Sequence, residues 1–210
     1  MIAAFGPCAG VTSTQGCIAT LDGDGTVAGV WSYGETEVEY TIEDATTVLY
    51  GFPRRMGYVV VGSRDTGEDA AAWIALVNAS SGVIEWQQLL DGPGVDRFYG
   101  VTPTTGNVIA VGASSSPSAG VAHGVLVAKF NKLNGTLQDS AVLAESKHGW
   151  TSTGRDVVVT PAGGYVVVGD QVYSGHTTAL MLFLDADFSV VEARTFAYDF
   201  GGVLERVVLH

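Results

Sequence analysis

The 210-residue chain is poor in several things at once. It has two cysteines, six prolines, three methionines and only ten Lys+Arg against 22 Asp+Glu, a net charge of −12. Two cysteines cannot build a disulfide-dense scaffold or a four-thiolate metal centre. So few basic residues argue against nucleic acid, whose phosphates need clustered Lys and Arg. No apolar run is long enough to span a membrane as a helix, so no membrane insertion is expected. No basic-then-apolar leader opens the chain, which argues against an extracellular protein unless the sequence is a mature or recombinant fragment; Met1 standing almost directly before an apolar run fits such a fragment. Helical periodicity is also missing. The best stretch, residues 42–50, is short and rich in β-branched residues.

What remains is apolar and glycine-rich. Hydrophobic residues make up 47%, which suffices for a core, and 28 glycines suit frequent turns. With abundant Val and Thr the chain reads as all-β. Four apolar runs end in glycine, at Gly6, Gly62, Gly112 and Gly169, spaced 56, 50 and 57 residues apart. Each is followed by a polar loop, a second run ending in Asp or Asn (Asp22, Asn78, Asn131, Asp185), and a third run. A further run precedes the last three glycine-ended ones, at 48–52, 98–102 and 157–160, each followed by a proline. The first repeat lacks it, and residues 203–210 are positioned to supply it. Four runs per unit of about 50–57 residues describe a β-propeller blade. The expectation is a single domain over 1–210. It has four four-stranded blades, one of them closed by both termini through pairing of 207–209 with 2–5. The same pattern also fits half of a larger ring, two chains giving eight blades.

The pattern GGYVVVG at 163–169 followed by LFLDADFSVVEA at 182–193 resembles the delta-60 and SBBP-like repeat propellers. The resemblance runs over essentially the whole chain. It implies the fold and says little about activity; such families usually form rings of more than four blades.

Candidate chemistry is sparse. Cys8 and Cys17 bracket one hairpin loop, either as a disulfide of an oxidising compartment or as two small buried thiols. Asn78-Ala79-Ser80 and Asn134-Gly135-Thr136 are glycosylation sequons in positions that also suit β-turns. Asp22-Gly23-Asp24-Gly25 is read as a turn, because a calcium loop needs more oxygen ligands than its neighbours offer. Arg97, Arg155 and Arg206 are taken as equivalent positions before the inner strand. They either hold an anion or pair with their sequence neighbours Asp96, Asp156 and Glu205. His123, His176 and Asp170 do not make a convincing metal set, so neither metal nor cofactor is expected. The loops at 7–16, 63–71, 113–123 and 170–177 are expected to be long and to share one face, the top. There Trp150, Tyr173, Tyr33 and Tyr198 could stack on sugar or seat a protein, or equally cap the interfaces between blades. No serine elbow, zinc-protease motif or phosphate loop is present.

These readings point to a non-enzymatic extracellular or cell-surface propeller with a protein or carbohydrate partner, or a homo-oligomer. Two rival readings stand beside it: a glycan-active hydrolase or lyase working at the channel mouth, and a subunit of a surface filament.

Overall fold

The computed structural model describes residues 2–7, 15–21, 24, 26–34, 38–67, 69–92, 94–115, 123–143, 150–196 and 202–208, with only the backbone of 2–7. Regular structure among them is entirely β. Fifteen strands form four antiparallel meanders. The first sheet holds β1 (Ile2–Pro7), β2 (Gly16–Leu21) and β3 (Val27–Tyr33). The second holds β4 (Glu39–Tyr50), β5 (Arg55–Asp65), β6 (Ala70–Asn78) and β7 (Ile84–Leu90). The third holds β8 (Asp96–Pro103), β9 (Asn107–Ser114), β10 (Gly124–Asn131) and β11 (Leu137–Leu143). The fourth holds β12 (Trp150–Val159), β13 (Tyr165–Tyr173), β14 (His176–Leu184) and β15 (Val190–Phe196). The stretch 42–50 is extended, inside β4.

Each sheet buries its faces against the next. One core joins first and second sheets around Ile18, Tyr40 and Trp73, one joins second and third around Ile74, Phe98 and Phe130, and one joins third and fourth around Val111, Val167 and Leu182. Runs such as Val59-Val60-Val61 are buried on both faces because neighbours cover both sides of a middle blade.

Two devices set the spacing. Outer-strand tryptophans reach forward onto the next blade. Trp31 lies on Gly82 and Trp86 on Gly135, where a β-carbon would collide with the indole. Both glycines also have positive φ, 69° and 71°. The third sheet has no tryptophan there. Instead Phe188 of the fourth sheet, at the matching turn position with φ 63°, is buried and packs back on Tyr165 and under Lys129. The second device is a bulge in each inner strand, at Glu43, Tyr99 and Arg155, opposite Gly62, Gly112 and Gly169. A β-carbon on those glycines would overlap the carbonyl oxygens of Thr41, Arg97 and Thr153. The recurring glycine is therefore a requirement of the bulge.

Three expectations change. The first sheet has three strands, with β1 at its edge. Residues 203–208 form no strand beside 2–5, and Leu209 and His210 lie outside the described residues. The segment leans instead on the fourth sheet. Leu204 N–H donates to the Gly169 carbonyl (3.2 Å), and Val207 N–H to Asp156 Oδ2 (2.9 Å). The second bond repeats the one between the second and third sheets, Val101 N–H to Asp44 Oδ2 at 3.0 Å. The segment thus takes the position of a next inner strand without the pairing of one. Finally, the loops expected at 63–71 and 170–177 are mostly strand. β5 runs to Asp65 and β6 starts at Ala70, while β13 and β14 meet at the two-residue turn Ser174-Gly175, both with positive φ. Most of 7–16 and 113–123 lies outside the described residues.

Candidate functional site

The bulges aim side chains at one place. Glu43 and Asp44 of β4, Tyr99 of β8, Arg155 and Asp156 of β12, and Glu205 and Arg206 line a cavity of about 200 Å³ where the inner strands converge. A bulge turns a side chain that the strand's alternation would send elsewhere, which is why three different blades deliver theirs to a common point.

Within this cavity the two aspartates have structural tasks. Asp44 accepts the Val101 N–H, and Asp156 accepts those of Val157 (2.8 Å) and Val207. Burial pushes the Asp44 carboxyl above its usual range. The N–H groups of Val101 and Ala45 pull it back, Asp156 adds to the rise and Arg206 opposes it. Arg155 Nε donates to Asp170 Oδ1 at 2.9 Å, and its guanidinium lies 4.7 Å from the centre of the Tyr99 ring. The cavity therefore offers charge of both signs and one aromatic wall.

The predicted arginines do not share one position. Arg155 stands at a bulge, equivalent to Glu43 and Tyr99. Arg97 precedes its bulge by two residues, equivalent to Thr41 and Thr153. Their partners also differ from the sequence neighbours expected. Arg97 reaches Asp65 of the second sheet at 3.5 Å, and Arg155 reaches Asp170. Arg206 lies in the cavity beside Glu205. Aligning by residue type hid the set Glu43, Tyr99, Arg155. A spacing of 56 residues between successive members was the available signal.

Trp150 and Tyr173 are brought together. They face each other across β12 and β13 and stack, with ring centres 4.7 Å apart and planes 16° from parallel. Tyr173 is 46% exposed and Trp150 half-buried. Both stand on strands, not loops. Tyr33 is buried and donates its hydroxyl to the Gly82 carbonyl, so it is a packing residue; Tyr198 lies outside the described residues.

Asn78 is heavily engaged. Its Nδ2 donates to Tyr50 Oη (3.1 Å) and Glu85 Oε1 (3.0 Å), and its Oδ1 accepts two turn N–H groups. Asn134 is exposed, its Oδ1 accepting the Thr136 N–H. Cys17 lies on β2 opposite Gly6, while Cys8 falls outside the described residues. Asp24 Oδ1 accepts the Thr26 N–H at 3.0 Å, while Asp22, Gly23 and Gly25 lie outside the described residues. His123 bridges to Thr151 and His176 pairs with Tyr173. Among the described residues no three His, Cys, Asp or Glu gather to hold a metal.

Comparison with known proteins supports the fold. No family model and no curated protein matches the sequence, the delta-60 and SBBP-like repeats included. Among solved structures the chain is similar to the Dos1 propeller, with a TM-score of 0.57 at 10% identity over 95% of this chain. The match takes in 46% of that chain, so this chain spans about half its length. At that identity the likeness speaks for the fold alone: four successive sheets arranged as propeller blades.

Proposed function

We propose that the protein is a non-enzymatic, extracellular propeller module that binds a protein or glycan partner at the end of the sheets carrying Trp150 and Tyr173. The stacked pair carries this reading. Two aromatic rings held parallel by strand register form a flat surface whose outer member is half-open to solvent. Such surfaces suit sugar faces and protein side chains alike. A Cys8–Cys17 disulfide at the base of the first hairpin belongs to the same reading. So does closure of the first blade by residues 203–210; completion of a larger ring by a second copy is the other arrangement, and sedimentation of the purified chain separates them.

Labelled protein on a glycan array and a peptide array tests the binding surface. Trp150→Ala together with Tyr173→Ala should abolish the signal while shifting stability by less than about 1 kcal/mol, since an exposed strand end holds little core. Retained binding by that double variant would overturn the assignment.

One observation favours a second reading, a glycan-active hydrolase. Asp44, with its raised carboxyl, and Asp156 line one cavity. Both, however, are committed to backbone N–H groups between neighbouring inner strands, so we read them as staples. Activity on a polysaccharide panel that disappears in Asp44→Asn would reverse that preference.

A further inference from the structure

The end of the molecule opposite Trp150 and Tyr173 carries a groove of about 610 Å³ between the second and third sheets. One wall is the end of β4 and the β4–β5 turn, with Leu49, Tyr50 and Arg54. The other is formed by the β8–β9 and β10–β11 turns, with Thr105, Lys132 and Leu133. Leu49 and Leu133 are 54% and 60% exposed, and Phe52, at the tip of the first turn, is fully so. Large apolar groups this open, gathered around one concavity, mark a surface that is covered in use.

Charge gives the groove a direction. The chain as a whole is strongly acidic, yet among the described residues no Asp or Glu lines this groove, while Arg54 and Lys132 do. Lys132 Nζ is bonded to the carbonyls of Thr104 (3.2 Å) and Thr105 (2.7 Å) and so holds its wall in shape. Arg54 is exposed, and no hydrogen bond or ion pair engages it among the described residues, whereas its neighbour Arg55 is paired with Glu85. A free guanidinium beside open leucines matches a carboxylate next to an apolar side chain.

We infer that this groove is a docking site for a short acidic–apolar segment of a partner protein, its apolar side chain against Leu49 and Leu133 and its carboxylate on Arg54. The inference rests on the reading of the chain as a binding module but assigns a different surface.

The test uses the full chain and fluorescence anisotropy with three labelled eight-residue peptides: alternating Glu and Leu, alternating Lys and Leu, and alternating Glu and Ser. The Glu–Leu peptide should bind, more weakly as salt rises, and the other two should not. Arg54→Glu and Leu133→Asp should each weaken binding at least about tenfold, the scale of one charge-assisted contact. Both residues are exposed, and matching thermal melts check that the variants fold. Trp150→Ala with Tyr173→Ala should leave this affinity unchanged. Equal binding of the Lys–Leu peptide, no binding of the Glu–Leu peptide, or indifference to both groove variants overturns the proposal. Binding lost only in the aromatic double variant would sink the groove and keep the aromatic surface. Self-association abolished by Arg54→Glu would seat a second copy in the groove and overturn the partner assignment. A glycan on Asn134, beside Leu133, would cover the groove and do the same.

Discussion

The second sheet and the first are built from the same repeat and end up in different conditions. In the second, β5 and β6 are buried almost end to end, and Trp73, 1% exposed, donates Nε1–H to Gln87 while meeting the Tyr40 ring edge-on at 5.2 Å. In the first, β2 alternates buried and half-buried residues, β3 is largely exposed, and among the described residues no inner strand covers β1. Repeat composition alone cannot account for the difference. A blade is buried by what flanks it, so its stability comes from its neighbours and its inner strand as much as from its own residues.

The largest effect is expected where that inner strand meets its glycine. Gly112→Val would drive side-chain atoms into the Arg97 carbonyl. It should cost more than about 4 kcal/mol and leave little folded protein. Gly106→Val, whose β-carbon meets nothing within 4 Å, should be tolerated. Circular dichroism melts decide it, and a well-folded Gly112→Val protein would mean the bulge is dispensable.

Next come the two tryptophans. Trp73→Ala should cost about 4 kcal/mol, as expected for a fully buried indole. Trp31→Ala, half-buried over Gly82, should cost about 2 kcal/mol. Equal costs in urea titrations would erase the proposed difference between the sheets.

Deletion of residues 203–210 addresses the missing strand itself. Loss of the Val207 and Leu204 bonds alone should cost about 2 kcal/mol. If the segment closes the first blade, the truncated chain should also associate through the freed β1 edge. Light scattering that shows a stable monomer would leave β1 an edge in the intact protein as well.

The smallest effect concerns pH. Hydrogen bonds from Asn78 and Tyr50, and then the charge of Arg55, hold the Glu85 carboxyl below its usual range. A depressed carboxylate contributes stability above its unfolded pKa, about 4.3, and that contribution is lost as pH falls through the lower folded value. Because Glu85 is partly exposed the contribution should be under about 1 kcal/mol. Glu85→Gln should flatten the stability profile below about pH 5. An unchanged acid limb would show that the cluster adds nothing to the second sheet beyond packing.

Much of this architecture was legible in the residues. The glycine-ended runs became β1, β5, β9 and β13, and the repeat length predicted four meanders. The reason is local: alternation, β-branched side chains and turn glycines act over a few residues and need no partner to be recognised. The stacking of Trp150 on Tyr173 was not legible, since it depends on the register of β12 against β13 at a point where 170–177 was read as a loop and Tyr173 in fact ends a strand. The convergence of Glu43, Tyr99 and Arg155 left a trace in their 56-residue spacing but not in their offsets from the glycines, 19, 13 and 14 residues, because β4 and β5 run further past the bulge before they turn.

By itself, then, the sequence determined strand content, the number of repeats and the places where only glycine could stand. Tertiary structure alone decided which side chains meet. Arg97 crosses to Asp65, Phe188 fills the space that tryptophan fills in other blades, and residues 203–208 lie against the fourth sheet. Those outcomes depend on how neighbouring sheets are stacked, and each departs from what the other blades do at the same place, so the period of the repeat does not predict it.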